Sequence, residues 1–113
     1  MTRYAVAILL ALTMPASAAD IVSANYFLPG CKSALTDKMF TQAEALKQGR
    51  CTGFVQAFLA LSPALDFCQP REATIGQAVA VVVKYVEARP ERIHEPFGSL
   101  TLEALKAAWP CKR

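Results

Sequence analysis

The segment that decides the fold class is TIGQAVAVVVKYVEARP, residues 74–90. Its valines could form a strand, because β-branched residues favour extended structure. A run of about 15 residues, however, exceeds an ordinary strand of about five or six. Its apolar side chains instead recur at helical spacing, at Ile75, Val79, Val82 and Val86. Pro90 ends the pattern, so the segment predicts a helix over residues 75–89.

Two capping boxes predict where helices begin. In such a box a threonine side chain accepts a hydrogen bond from a free backbone N–H, and a Glu or Gln three residues later reaches back. Thr74 with Gln77 forms one box, and Thr41 with Glu44 forms the other. A second helix is therefore expected from Thr41 onward.

Glycines interrupt this second helix. Gly49 and Gly53 each weaken a helix by roughly 1 kcal/mol relative to alanine. We therefore expect the helix to break near Gly49 and to restart around Cys51. Ser62-Pro63 ends it, because a residue before proline avoids the helical region.

Two further helices complete the chain. The first is expected to begin around Pro29, since proline is tolerated at a helix start. The last is expected to open at Ser99, a good N-cap, and to close at Pro110. Within it, Glu103 and Lys106 are three residues apart and are expected to pair. The sequence thus predicts an all-α protein.

The N-terminus has the pattern of a secretory signal. Arg3 supplies the positive start, residues 4–14 the apolar core, and Ala16-Ser17-Ala18 the small-residue cleavage site. A membrane anchor would need about 20 apolar residues, and Pro15 arrives too soon. We therefore expect residues 1–18 to be cleaved, leaving a single exported domain over residues 19–113 without a membrane anchor.

Export determines how the four cysteines are interpreted. Cys31, Cys51, Cys68 and Cys111 all lie in the expected mature chain. In an oxidising compartment an even number of cysteines predicts two disulfides, with three alternative pairings. A zinc site would need closely spaced Cys or His pairs, and the chain lacks them.

Topology favours one of these pairings. Short connections favour an up-down arrangement of antiparallel neighbours, which brings Cys31 toward Cys51. Cys68 follows the second helix and Cys111 the fourth, so both lie at the same end. We therefore predict Cys31–Cys51 and Cys68–Cys111, in a small four-helix up-down bundle held by two disulfides.

Composition and motifs argue against several classes of function. The net charge of +3, without a Lys/Arg cluster, does not suggest a nucleic-acid partner. No glycine-rich phosphate loop is present. His94 is the single histidine, and no spacing supports a catalytic pair or triad around it. We expect no enzymatic activity, no cofactor and no metal site.

The chain from Asn25 to Cys111 resembles the Rap/Tai immunity family of bacterial type VI secretion. The matching pieces are Asn25-Tyr26, Gly30-Cys31, Gly49-Arg50-Cys51-Thr52-Gly53, Phe67-Cys68-Gln69-Pro70 with Thr74 and Gln77, Arg89-Pro90-Glu91-Arg92-Ile93-His94, and Ala108-Trp109-Pro110-Cys111. The resemblance implies a periplasmic all-α protein that binds a peptidoglycan amidase effector and occludes its active site, and that forms a homodimer, as members of the family often do.

Site residues follow from this resemblance and from predicted exposure. The shared pieces are expected to hold the scaffold, through Tyr26, Gly53, Arg92, His94 and Trp109. Partner binding is expected on the polar face of the helix predicted over residues 75–89 and on the loop that follows it. The residues are Lys84, Glu87, Arg89, Glu91 and Glu95. The simpler interpretation is that these charges only solvate the surface.

A small periplasmic acid-stress chaperone is the alternative function. Such helical, disulfide-bonded proteins also match this size and compartment, and they expose apolar surface when their carboxylates are protonated at low pH. Suppressed aggregation of a client protein near about pH 3, absent at neutral pH, would favour the chaperone.

Overall fold

The computed structural model describes residues 22–36, 38 and 41–112, and the expected signal segment 1–18 lies outside them. Four α-helices and one 3-10 turn make up the described part. The helices are α1 (Ala24–Ser33), α2 (Gln42–Ala60), α3 (Ile75–Glu87) and α4 (Phe97–Ala108), with the turn at Pro90–Arg92. The predicted all-α fold with four helices is confirmed. None of these helices combines the length and the apolar character that crossing a bilayer requires.

Both predicted capping boxes are confirmed. At the start of α2, the backbone N–H of Thr41 donates to Glu44 Oε2 at 2.8 Å, and the N–H of Glu44 donates to Thr41 Oγ1 at 3.3 Å. At the start of α3, Thr74 and Gln77 make the same reciprocal bonds at 3.3 and 3.0 Å. These starts were predictable because all the bonding groups lie within four residues of one another.

The first helix begins earlier than the sequence predicts. It starts at Ala24, and Pro29 lies inside it. The free N–H groups of its first turn find acceptors on a distant segment: Ala24 donates to the carbonyl of Glu95 and Asn25 to that of Ile93, both at 2.9 Å. Ser23 also caps the helix locally, since its Oγ accepts a hydrogen bond from the N–H of Tyr26 at 3.3 Å. Because these bonds satisfy the free donors of the first turn, the helix does not need the proline at its first position.

The predicted break near Gly49 is wrong, because α2 is continuous from Gln42 to Ala60. Cys51 and Val55 on its inner face are fully buried. Burial of this face outweighs the intrinsic cost of two glycines, since most helix stability in proteins comes from tertiary packing. The helix ends at Ala60, before Ser62-Pro63, as expected.

The last helix also begins earlier than expected. It starts at Phe97, with Pro96 rather than Ser99 in the cap position and without a side-chain cap. Phe97 is fully buried, and its ring stacks on Phe27 of α1 at a centroid distance of 4.6 Å. Packing of this ring therefore fixes the start of α4.

The helices form two closely packed pairs around a shared core. In the first pair, α1 crosses α2 closely: a Cβ on Gly30 would overlap the carbonyl oxygen of Lys47. In the second pair, α3 packs against α4. The buried core includes Phe67, Val79, Val82, Phe97, Leu100 and Leu105.

Both predicted disulfides are confirmed. Cys31 and Cys51 join α1 to α2, with a Cα–Cα distance of 5.2 Å. Cys68 and Cys111 join the loop after α2 to the C-terminus, with a Cα–Cα distance of 4.8 Å. Beside this bond the N–H of Cys68 donates to the carbonyl of Trp109 at 2.8 Å. The first bond therefore joins two helices, and the second attaches the C-terminal segment to the loop after α2.

Candidate protein-binding surface

The residues predicted to bind a partner follow one another along α3 and the segment that leads into α4. Lys84, Glu87 and Glu91 are exposed, whereas Arg89 and Glu95 are half-buried. The contacts of these five side chains within the chain decide which of them offers a free charge to a partner.

Arg92 organises this segment through two carboxylates. Its guanidinium donates to Glu95, with Nε–Oε2 at 2.6 Å and Nη2–Oε1 at 2.9 Å. It also donates to Glu103 of α4, with Nη1–Oε2 at 2.7 Å and Nη2–Oε1 at 2.8 Å. The hydroxyl of Tyr85 in α3 donates to Glu103 at 2.8 Å. The network therefore ties α3, the 3-10 turn and α4 together.

These hydrogen bonds shift the pKa values of the network. The guanidinium of Arg92, with help from the hydroxyl of Tyr85, lowers the pKa of Glu103 to about 2. Arg92 also lowers the pKa of Glu95. The hydrogen bonds from Glu103 and then Glu95 raise the pKa of Arg92. Both carboxylates are consequently ionised at neutral pH. The expected pair between Glu103 and Lys106 is wrong, because Arg92 and Tyr85 engage this carboxylate instead.

Two more of the predicted binding residues have partners within the chain. Arg89 lies over the ring of Tyr85, 3.6 Å from its centroid, and its Nη1 donates to the Tyr85 carbonyl at 3.0 Å. Glu87 pairs with Lys32 of α1 at 3.1 Å. Arg89 is therefore held against Tyr85, as Glu95 is held by Arg92, whereas the pair of Glu87 with Lys32 is exposed to solvent. Lys84 and Glu91 are exposed, and neither takes part in an ion pair among the described residues.

A shallow groove lies between α3 and α4 beside these residues. Its volume is about 360 Å³, and its floor is formed by small side chains, among them Ala88, Ala104 and Ala107. Lys84 and Arg89 line the groove as well. A groove of this kind can accept an apolar side chain and place a negative charge against either cation.

The described residues contain no arrangement typical of a reactive centre. His94 is exposed, and all four cysteines are in disulfides. No group of three or more His, Cys, Asp or Glu side chains in the described part could hold a metal ion. What this surface offers chemically is binding through shape and charge.

The residues expected to hold the scaffold do so unequally. Arg92 joins three elements, and half-buried Trp109 packs against the core. Gly53 and His94 are exposed, and a Cβ on Gly53 would meet no atom within 4 Å. Tyr26 is 39% exposed and accepts a hydrogen bond from Arg50. Arg92, Trp109 and Tyr26 therefore make tertiary contacts, whereas Gly53 and His94 lie on the surface.

Sequence reasoning missed a pocket between α1 and α2. Tyr26 lines it from α1, and Lys47 and Arg50 line it from α2. No local signal could have located it, because the two helices meet only in the folded protein. The spacing of Lys47 and Arg50, one helical turn apart on an exposed face, was the single available hint.

A protein-family model matches most of the chain. The family model of Rap1a immunity proteins matches residues 23–111, which include all four helices and both disulfides. No curated protein and no solved structure is detectably similar to the chain.

Proposed function

The chain belongs to the Rap1a immunity protein family, and we propose that it is a periplasmic immunity protein that binds a peptidoglycan amidase delivered by type VI secretion and covers its active site. The observation that carries this proposal is the family match over residues 23–111. An immunity function implies a protein partner and a role as an inhibitor rather than as an enzyme. The proposal adds two points to the family match: that the partner is a peptidoglycan amidase, and that binding covers its active site.

The disulfide-held bundle supports inhibition by steric blocking. An inhibitor that is already ordered loses little conformational entropy on binding, so more of the contact energy remains as affinity. Here Cys31–Cys51 joins two helices, and Cys68–Cys111 attaches the C-terminal segment to the loop after α2. The Arg92 network restrains the turn between α3 and α4 in the same way.

We assign the effector contact to the groove between α3 and α4 and to the charges around it. Lys84 and Glu91 would meet the effector directly, because neither is engaged in an ion pair among the described residues. Arg89 and Glu95 would contribute as charges held in position by Tyr85 and Arg92, and Glu87 as an exposed charge beside them. Fixed charges favour specificity, since a mismatched partner cannot be accommodated by moving them.

The periplasm is the compartment that accounts for the covalent structure. Disulfides form and persist in oxidising compartments and are rare in the cytosol. Two of them in a chain whose N-terminus has the pattern of a cleaved signal support export.

We further propose a homodimer, which the outer face of α2 would support. Leu46 is 58% exposed, and Leu61, just after the helix, is 55% exposed. Gly53 lies between them on the same face and is exposed. Sedimentation should give the mass of two chains, and Leu46→Lys should shift it toward one chain. Leu35→Lys, at another exposed leucine, is the matched control.

Co-expression tests the main function. A periplasm-directed amidase encoded beside this gene should lyse its host, and this chain should prevent the lysis. A form lacking residues 1–18 should accumulate without protecting, because it would remain in the cytoplasm. Persistent lysis in the presence of the exported, oxidised protein would contradict the proposal.

A further inference from the structure

The pocket between α1 and α2 lies outside the proposed effector-binding surface. It encloses about 430 Å³. Its lining residues are Ser23 at the cap of α1, Asn25, Tyr26, Phe27 and Pro29 of α1, and Lys47 and Arg50 of α2. None of them belongs to the surface around α3 and α4.

The pocket carries unbalanced positive charge. Lys47 and Arg50 form no ion pair among the residues that the structure describes. The one acidic residue of α2, Glu44, is held by the backbone and side chain of Thr41 at the start of the helix. Two cations that share a partly enclosed pocket without a counter-charge attract an anionic group.

Arg50 is held in position for such a group. Its guanidinium donates to the hydroxyl of Tyr26 and lies 5.6 Å from the centroid of the Tyr26 ring. A guanidinium has five N–H donors, so the bond to Tyr26 leaves others for a ligand. Because one contact already orients the side chain, binding an anion costs less conformational entropy.

We propose that this pocket binds a carboxylate from an Asp or Glu side chain of a protein partner. Arg50 and Lys47 would bind the carboxylate through charge-assisted hydrogen bonds, which are stronger than neutral ones. Phe27 and Pro29 supply apolar wall against which the methylene groups of the acidic side chain can pack. The identity of the partner as the amidase effector rests on the proposed function, whereas the carboxylate chemistry of the pocket does not.

A peptide titration tests the chemistry of the pocket directly. The probes are N-acetyl-glutamate methylamide and its neutral glutamine counterpart, added to ¹⁵N-labelled, oxidised mature protein. The acidic probe should shift the amide resonances of Tyr26, Lys47 and Arg50 in a saturable way, and the neutral probe should not. The double variant Lys47→Gln with Arg50→Gln should weaken binding at least about tenfold, because it removes charged hydrogen bonds.

Lys106→Gln is the matched control, since it removes one exposed cation on α4 that lines neither the pocket nor the groove. It should bind the acidic probe as the unmodified protein does. Circular dichroism confirms that each variant is folded. Equal shifts from both probes, or binding unaffected by the double variant, would overturn the proposal.

A second measurement tests whether the carboxylate comes from the effector. In the co-expression assay and in a binding assay with the purified amidase, Arg50→Gln should weaken the complex about tenfold. An unchanged affinity would overturn the assignment of the pocket to a protein partner. If the unmodified chain itself fails to bind the amidase, the proposed function fails, and the peptide titration still decides whether the pocket binds carboxylates.

Discussion

Arg92 contacts both carboxylate oxygens of Glu103, at 2.7 and 2.8 Å, although the two residues lie in different elements of the bundle. The same guanidinium holds Glu95. The carbonyls of Ile93 and Glu95 in turn accept the first backbone N–H groups of α1. One arginine therefore fixes the segment on which α1 begins and the groove between α3 and α4.

The Glu103 carboxylate makes stability depend on pH. Its pKa is about 2 in the folded protein, against an ordinary value of 4.5. Because folding lowers this pKa, the ionised carboxylate stabilises the fold above about pH 4.5, and this contribution is lost as the pH falls toward about 2. Glu103→Gln should lower the Tm at neutral pH and flatten its decline in acid.

Thermal melts followed by circular dichroism check this dependence. Glu72→Gln is the matched control, since Glu72 is exposed and forms no ion pair among the described residues. An identical decline in Tm for the unmodified protein and Glu103→Gln would refute a role for this ion pair in acid stability.

Alanine should have opposite effects on stability at two helical glycines, Gly30 in α1 and Gly76 in α3. At Gly30 a Cβ would lie 2.5 Å from the backbone carbonyl carbon of Lys47, and a helix backbone cannot move aside cheaply. Gly30→Ala should therefore lower the free energy of unfolding by about 1–3 kcal/mol. Gly76→Ala places its Cβ in ordinary contact, 3.8 Å from Thr74 Oγ1, and should raise it by about 0.5–1 kcal/mol. Urea titration measures both, and a stable Gly30→Ala would mean that the helices can separate.

The disulfides should contribute unequally. Cys68–Cys111 closes a loop with a sequence separation of 43, and Cys31–Cys51 one of 20. By loop entropy their removal as paired alanine substitutions should cost about 4 and about 3 kcal/mol, respectively. Because this is a large share of the stability of so small a domain, the protein without both should be unfolded at 37 °C. Chemical denaturation measures each variant, and equal losses would argue against the entropic account.

Filling the groove between α3 and α4 should weaken effector binding. Ala107 is exposed and lines this groove, so an indole at this position would occupy the space offered to the effector. Ala107→Trp should raise the Kd for the amidase about tenfold or more without lowering the Tm. Ala80→Trp is the matched control, because Ala80 is exposed on α3 outside the groove. Isothermal calorimetry compares them, and equal affinities would exclude the groove from the interface.

Local interactions explain which features the sequence predicted correctly. The capping boxes at Thr41 and Thr74 need only neighbouring residues, so the starts of α2 and α3 were correct. The start of α1 combines a distant acceptor, the carbonyl of Glu95, with a local cap at Ser23 that the prediction overlooked. The start of α4 was wrong because it depends on a distant group, the ring of Phe27. The uninterrupted α2 was missed for the same reason, since the stabilisation from burying Val55 outweighs the free-energy cost of Gly49 and Gly53 in the helix.

The sequence by itself determined the number and order of the helices, their capping boxes and, through four cysteines in an up-down chain, the two disulfide pairs. Helical periodicity, caps and covalent partners are encoded in residue types and short spacings. The contacts of Arg92 with Glu95 and Glu103, and the pocket in which Lys47 and Arg50 meet Tyr26, could be seen only in the folded protein. These contacts join side chains from separate elements, and their geometry exists only once packing has fixed how the helices cross.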